Sequence, residues 1–416
     1  MAAQRGVAVA ATERTLILRR RGRLVLQGMP WVVAGIGVLG GRVARAQSSV
    51  ELRYLYYGES EGRTKVMNPT FLLHHEFDEK YGQVDLLLSL DAISGASPTG
   101  GYPTLAVTTT TSASGNSTVN AAGKIPLVQY MDERKSEGIT WGRRFGAHLP
   151  TVDLTHSVEK DYIAQGYGLS DAWTMFEGRG TLHYGLSLAD DTVAPVTNTL
   201  RLPKKTRGYS LGWTWVLGEN DLLDVGASRM DQKGYLDEPY LIVPVGTGTQ
   251  AEHRPGTRAR DAYFIKQGHY FEWDGALKTT YRFYRDDWGL KAHTLDFTYD
   301  QHLDEGWILT PRVRFYTQNA ASFYDAKFAT PQTYMSSDYR LSAFSSVLLG
   351  CAVSTEILKG LTLSLGGTFQ YQQGRDRLTP LQTSASGNSP AIYAGPSTSA
   401  ADVNTTTITV GLKWQY

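Results

Sequence analysis

Apolar and polar residues alternate one by one along much of this chain, and three segments show the alternation with little interruption. From Arg207 to Leu217 the apolar positions Tyr209, Leu211, Trp213, Trp215 and Leu217 oppose Gly208, Ser210, Gly212 and Thr214. Leu361, Leu363, Leu365, Phe369 and Tyr371 oppose Thr362, Ser364, Gly366, Thr368, Gln370 and Gln372. At the carboxyl end Ile408, Val410, Leu412, Trp414 and Tyr416 oppose Thr407, Thr409, Gly411, Lys413 and Gln415. A period of two sends successive side chains to opposite faces of a strand, so each segment has one greasy and one wet face.

A soluble β-sandwich produces the same alternation. Three features favour a membrane instead. The segments run to about ten residues, the length of a tilted crossing. Their apolar faces end in aromatics, with Tyr54 and Tyr56, Trp213 and Trp215, and Trp414 and Tyr416 expected to form an interfacial belt. Short and long connections also alternate, as a barrel with one plain and one elaborate rim requires.

These signals predict an all-β fold, a transmembrane antiparallel up-and-down β-barrel. Strands are expected near 50–58, 64–77, 83–93, 135–146, 152–159, 163–173, 180–189, 207–217, 222–231, 258–270, 276–285, 291–302, 307–318, 338–356, 361–372 and 403–416. That makes sixteen, with fourteen or eighteen also compatible with the pattern. The hairpin over 152–173 must turn at Glu159-Lys160-Asp161-Tyr162 without a glycine. Compact Gly-, Asp- and Asn-rich turns fall between alternate strands and assign one rim to the periplasm. The long connections, 94–134, 190–206, 232–257, 319–337 and 373–402, are expected on the cell surface. Thr108 to Thr118 is so poor in apolar residues that it is expected to be mobile.

The first 46 residues read differently. Arg19-Arg20-Arg21-Gly22-Arg23 precedes an apolar stretch from Leu24 to Gly40, and Ala44-Arg45-Ala46 offers small residues for signal peptidase. Residues 1–46 are therefore expected to be a cleaved signal peptide, and 47–416 a single barrel domain. The whole chain carries 41 basic and 40 acidic residues; without the leader, 33 basic stand against 39 acidic, net −6. That balance argues against a nucleic-acid partner.

Candidate chemistry is sparse. A single cysteine, Cys351, excludes an intramolecular disulfide and a four-cysteine zinc site, and its Val-Leu-Leu-Gly-Cys-Ala-Val setting predicts a small packing residue. The nine histidines show no metal-binding spacing, and His74 and His75 must point to opposite faces of a strand. No serine, histidine and acid gather as hydrolytic catalysis needs, and no cofactor or metal is called for.

More informative is a ladder of charges. If Leu277, Tyr281, Phe283, Leu295, Phe297, Tyr299, Leu309, Val313 and Phe315 face lipid, the lumen receives Lys278, Arg282, Asp296, Asp300, Arg312 and Arg314. Counting from the turns sets Asp296 beside Val313, between Arg312 and Arg314, and diagonal to Arg282. It is expected to hold these guanidiniums to the wall and to reduce the positive field in the lumen. The ladder reads either as a self-neutralised brace or as a filter for solutes.

Several stretches resemble the outer-membrane β-barrel family DUF3570, a domain of unknown function. They are Glu51 to Tyr57, Asp132-Glu133-Arg134, Ser157 to Tyr162, Gly234 to Tyr240, Tyr281 to Gly289 and Ser337 to Ser342, in the family's order. Ile163 departs from the pattern, since serine usually follows the Asp-Tyr pair. The resemblance implies a Gram-negative outer-membrane barrel and brings no catalytic residues. The expected function is a passive pore or a solute-specific channel; a non-conducting scaffold, an outer-membrane enzyme and a secreted sandwich are the alternatives. Expected partners are outer-membrane lipid and lipopolysaccharide, the barrel-assembly machinery, and small solutes or ions.

Overall fold

The structure is a computed structural model that describes residues 17–19, 23–25, 48–78, 80–98, 100, 103, 108–111, 117–120, 124–196, 199–378, 381–382, 392–393 and 398–416. Sixteen antiparallel strands close into one barrel, each paired with its neighbours in the chain and the last with the first. In order they are β1 (Ser49–Glu59), β2 (Lys65–Glu76), β3 (Gln83–Pro98), β4 (Leu127–Gly142), β5 (His148–Val158), β6 (Tyr162–Met175), β7 (Gly180–Val193) and β8 (Leu202–Val216). The second half comprises β9 (Asp221–Gly234), β10 (Thr257–Phe271), β11 (Gly275–Asp286), β12 (Lys291–His302), β13 (Ile308–Gln318), β14 (Phe344–Leu358), β15 (Leu361–Gly374) and β16 (Val403–Gln415). Among the described residues no helix is long and apolar enough to cross a membrane.

Alternation sorts the side chains as the sequence requires. Leu169, Leu211 and Leu349 are each 57% exposed on the outside of the wall, an arrangement water would penalise, whereas the inward Asp296 and Asp300 are 7% and 1% exposed. The strands are tilted. One row of paired residues runs from Trp414, near the short-turn rim, through Val50, Leu73, Leu86, Ile139 and Leu154 to Leu188 and Arg207, close to the long-loop rim. That climb is the stagger a closed sheet needs.

The two rims differ as expected, with corrections at the strand ends. β3 and β4 run on to Pro98 and back from Leu127, so the loop between them is shorter than 94–134. The outward charges Glu133 and Lys135, beside the 82%-exposed Met131, break the apolar rule, which fails where a strand projects beyond the apolar band. Conversely β14 starts at Phe344, so the loop before it extends past 337 to 343. The glycine-free turn at Glu159–Asp161 exists, closed by Glu159 N–H donating to Tyr162 O at 2.7 Å. Within Thr108 to Thr118, expected to be mobile, Thr108–Thr111 pairs with a strand that starts at Ser117 and runs to Asn120, forming a short ribbon. At the opposite rim the β14–β15 turn is only Lys359 and Gly360; Gly360 has φ +78°, and a Cβ there would lie 2.6 Å from Gln415 O. Cys351 is exposed on the outer face of β14 and is not buried packing, because it shares the outward parity of Leu349 and Val353. Of the expected signal peptide, Ile17–Arg19 and Arg23–Val25 form a separate two-stranded ribbon, and the rest lies outside the described residues.

Closure rests on β16. Trp414 pairs with both Leu361 and Val50, and Tyr416 N–H donates to Ser48 O at 3.0 Å. Deleting Trp414 to Tyr416 is expected to leave most of the protein unable to refold in detergent, seen as loss of the heat-modifiable electrophoretic band. A compact, heat-modifiable truncation would show that closure does not need these residues.

Candidate functional site

Two layers of polar chemistry occupy the inside of the barrel: a charged wall, and above it a cap built from the long loops. On the wall, Asp296 faces inward opposite Arg314, not Val313, because the β12–β13 register differs by one residue from the count along the turn. Arg312 donates to it through Nε and Nη2 at 3.2 and 2.8 Å, and Arg314 Nε donates as well. Arg282 faces Thr294 across the β11–β12 ladder and lies over the Tyr284 ring at 5.6 Å from its centroid, so it makes no bond to Asp296. Lys278 Nζ and Asp300 stand 2.7 Å apart. The sequence-predicted ladder is thus two local clusters, with Arg282 apart from both.

The aromatic belt divides too. Trp213, Trp215, Trp414 and Tyr416 stand near the short-turn rim, the first two in edge contact at 5.9 Å and the last two at 5.0 Å between centroids. Tyr54 and Tyr56 face outward at mid-strand, opposite Val410 and Ile408.

The inner wall is also polarised across its diameter. β9 to β13 present Asp224; Arg258, Arg260 and Lys266; Lys278, Arg282 and Asp286; Asp296 and Asp300; and Arg312 and Arg314, seven bases against four acids. On β1 to β7 the inward acids Glu51, Glu59, Glu76, Asp85, Asp91, Asp132, Asp153 and Asp191 outnumber Arg53 and Arg134.

Above the wall, the loops over 235–256 and 319–343 fold against each other. Leu236, Trp288, Leu290, Ala321, Phe323 and Leu341 form one apolar cluster, and Val243, Val245, Phe328 and Met335 a second. Such packing gives loops a core of their own, which solvated surface loops lack. A buried ion network joins the same two loops. Arg254 Nη2 donates to Glu252 and Asp338, each at 2.9 Å; Arg340 grips Asp338 through Nε and Nη2 at 2.8 and 2.7 Å and approaches Glu238 at 3.7 Å. Ser336 Oγ donates to Glu252.

The cap reaches round the mouth. Tyr240 OH, in the loop after β9, donates to Asp161 at the β5–β6 turn, four strands away. Tyr339, in the loop after β13, lies beneath Arg63 of the β1–β2 turn, again four strands away; Arg63 is 2% exposed and donates to Ala400 O at 2.6 Å. Gly95, with φ +122°, lets β3 approach the Arg63 backbone, where a Cβ would lie 2.1 Å from Arg63 O. One set of contacts therefore runs from the β5–β6 turn through both loops to the β1–β2 turn. Beside it, oxygens of Asp132, Glu159 and Asp161 lie within 4.8 Å of one another, with Arg134 Nε at 3.8 Å from Glu159.

Several of the cap residues, among them Asp161, Glu238, Tyr240, Asp338, Tyr339 and Arg340, come from the stretches that carry the family resemblance. The model of the family described as "Protein of unknown function (DUF3570)" matches residues 38–205 and 198–405. The chain belongs to this family. Among curated proteins no sequence matches. DUF3570 here takes a shape similar to solved outer-membrane barrels. A bacterial polysaccharide outer membrane secretin is 8% identical at TM-score 0.46, covering 89% of this chain and 98% of its own. OmpT, an outer membrane protein of Vibrio cholerae, is 9% identical at 0.42, covering 89% and 96%. A BenF-like porin from Pseudomonas fluorescens Pf-5 is 9% identical at 0.42, covering 90% and 100%.

Sequence reasoning missed the cap network of this DUF3570 chain. Glu238, Asp338 and Arg340 lie within the resemblance stretches, which was the available signal. Glu252 and Arg254 sit in a segment with neither periodicity nor motif.

Burial alone would push the Asp338 carboxyl up, but the Arg340 and Arg254 guanidiniums outweigh it and hold the group well below the ordinary carboxylate range. At Glu252 burial prevails and the carboxyl is raised. A depressed acid stabilises above its unfolded value, about 3.9, and loses that contribution as pH falls through its folded value. A raised acid gains stability as pH falls through its folded value. Both signs predict that the cap holds from neutral pH down to about pH 4, measured as constant resistance of the 319–343 loop to an acid-tolerant protease; opening near pH 5–6 would contradict it. Asp338→Asn leaves the buried Arg254 guanidinium and the half-buried Arg340 short of a partner, a loss of roughly 3–5 kcal/mol, most of it at Arg254. It should accelerate tryptic cleavage at Lys327 by two orders of magnitude or more while the barrel stays heat-modifiable.

Proposed function

We propose that this protein is an outer-membrane channel for small solutes, with entry restricted by the folded cap. The observation that carries the reading is the charged, polarised inner wall. Sixteen strands enclose more space than one layer of side chains fills, and an ionic wall is costly unless water or solute lies against it. The outward band of Leu, Val and aromatic residues suits the lipid of the outer membrane. The same parity supports lipopolysaccharide around the upper rim and recognition of β16 by the barrel-assembly machinery. The long-loop rim then faces the cell surface.

A second reading, a non-conducting scaffold, is favoured by the cap, since loops packed against each other and linked to turns around the mouth can seal it. Planar-bilayer recording of the refolded mature barrel, beside a variant in which 322–339 is replaced by a short Gly-Ser linker, separates the two. Conductance in the intact protein, increased severalfold in the variant, supports the restricted channel. Conductance in the variant alone supports the scaffold, and silence from both refutes the pore.

Asp296 tests the wall. Its removal frees Arg312 and Arg314 and takes away one negative charge, so Asp296→Asn is expected to conduct with a reversal potential shifted towards anions in a salt gradient. An unchanged potential in a conducting variant would show that Asp296 has no part in selectivity.

A further inference from the structure

Beneath the cap, most bases on the β9–β13 wall are matched to an acid. Arg258 donates to Asp286 through Nε at 2.9 Å, Lys266 lies 3.4 Å from Asp224, Lys278 pairs with Asp300, and Arg312 and Arg314 share Asp296. Arg260 and Arg282 differ. Among the described residues neither forms an ion pair, and the buried Nε of Arg260 has no hydrogen-bond partner.

Their surroundings fix them without neutralising them. Arg260 stands between Met230 of β9 and Asp286 of β11, but Asp286 already accepts from Arg258 and from Tyr284 OH at 2.8 Å. Arg282 lies one inward position below Tyr284, over that ring, between Phe264 of β10 and Thr294 of β12. The phenol, held by Asp286 and Arg258, therefore separates the two guanidiniums along the strand direction. Arg282 is exposed to the lumen. A guanidinium is a planar fork of donors matched to a carboxylate, and on a wall with excess positive charge next to low-dielectric protein its field is only partly screened. Bracing would require an acid bonded to each arginine, as Asp286 is bonded to Arg258.

We propose that Arg260 and Arg282 are two rungs of a binding track for small carboxylate anions, which pass from one guanidinium to the other along the inward face of β10 and β11. This rests on the channel reading for passage, but binding can be measured without it.

Equilibrium dialysis of radiolabelled succinate against the refolded full barrel in detergent reads binding directly. The expected result is saturable uptake that weakens with salt. Arg282→Gln and Arg260→Gln should each lower affinity by about tenfold or more, and the double variant should abolish uptake. Arg229→Gln, on the outward face, should bind as the wild type does. Heat-modifiability checks that each variant is folded; if Arg260→Gln fails to fold, Arg282→Gln decides alone. Absence of succinate binding in the wild type, or unchanged affinity in folded Arg282→Gln, overturns the proposal. Binding that depends on these arginines in a barrel silent in bilayers would retain the site and refute the channel reading.

Discussion

The structure depends first on pairing the two edges of its sheet. An open edge offers unpaired N–H and C=O groups, and in a hydrocarbon environment each costs several kcal/mol. β16 and β1 meet over eleven residue pairs, from Thr405 with Glu59 to Gln415 with Ser49, and so leave no edge. Everything else follows from that ring. The strands must tilt to close it, which makes the rows of paired residues climb, and each strand must alternate faces, which forces polar residues into the lumen.

Forcing polar residues inward creates the second problem, the placement of charge. The wall meets it locally, through clusters such as Asp296 with Arg312 and Arg314, in which one carboxylate holds two guanidiniums. The cap meets it more strictly. Arg254, Asp338 and Glu252 are almost fully removed from water, so their network must be complete to be tolerated. A complete network of this kind fixes one arrangement of the two loops, because any slip strands a buried ion. The apolar clusters around Trp288 and Val243 supply the burial, and the ions supply the register.

The strand pattern was legible because a period of two survives wherever the outer face must be apolar. The segments ending in Trp215, Tyr371 and Trp414 illustrate this. Legibility failed above the band, where Met131 and Glu133 point outward beside one another on β4 and no solvent contrast enforces a pattern. The wall charges were readable as a set by parity alone. Their partners were not, since partnership depends on register: a one-residue difference puts Arg314 opposite Asp296, and the ring of Tyr284 takes Arg282 elsewhere. The cap was invisible to periodicity, because a contact such as Tyr240 with Asp161 spans 79 residues and obeys no repeat.

The uneven division of charge between β9–β13 and β1–β7 acts on shape as well as on sign. A field directed across the lumen exerts a torque on any molecule with a dipole, turning its negative end towards the basic side and its positive end towards the acidic side. On the channel reading, such a solute would lose rotational freedom on entry and stand crosswise to the barrel axis. Its width in that orientation, and not its smallest cross-section, would then set the clearance it meets against the wall.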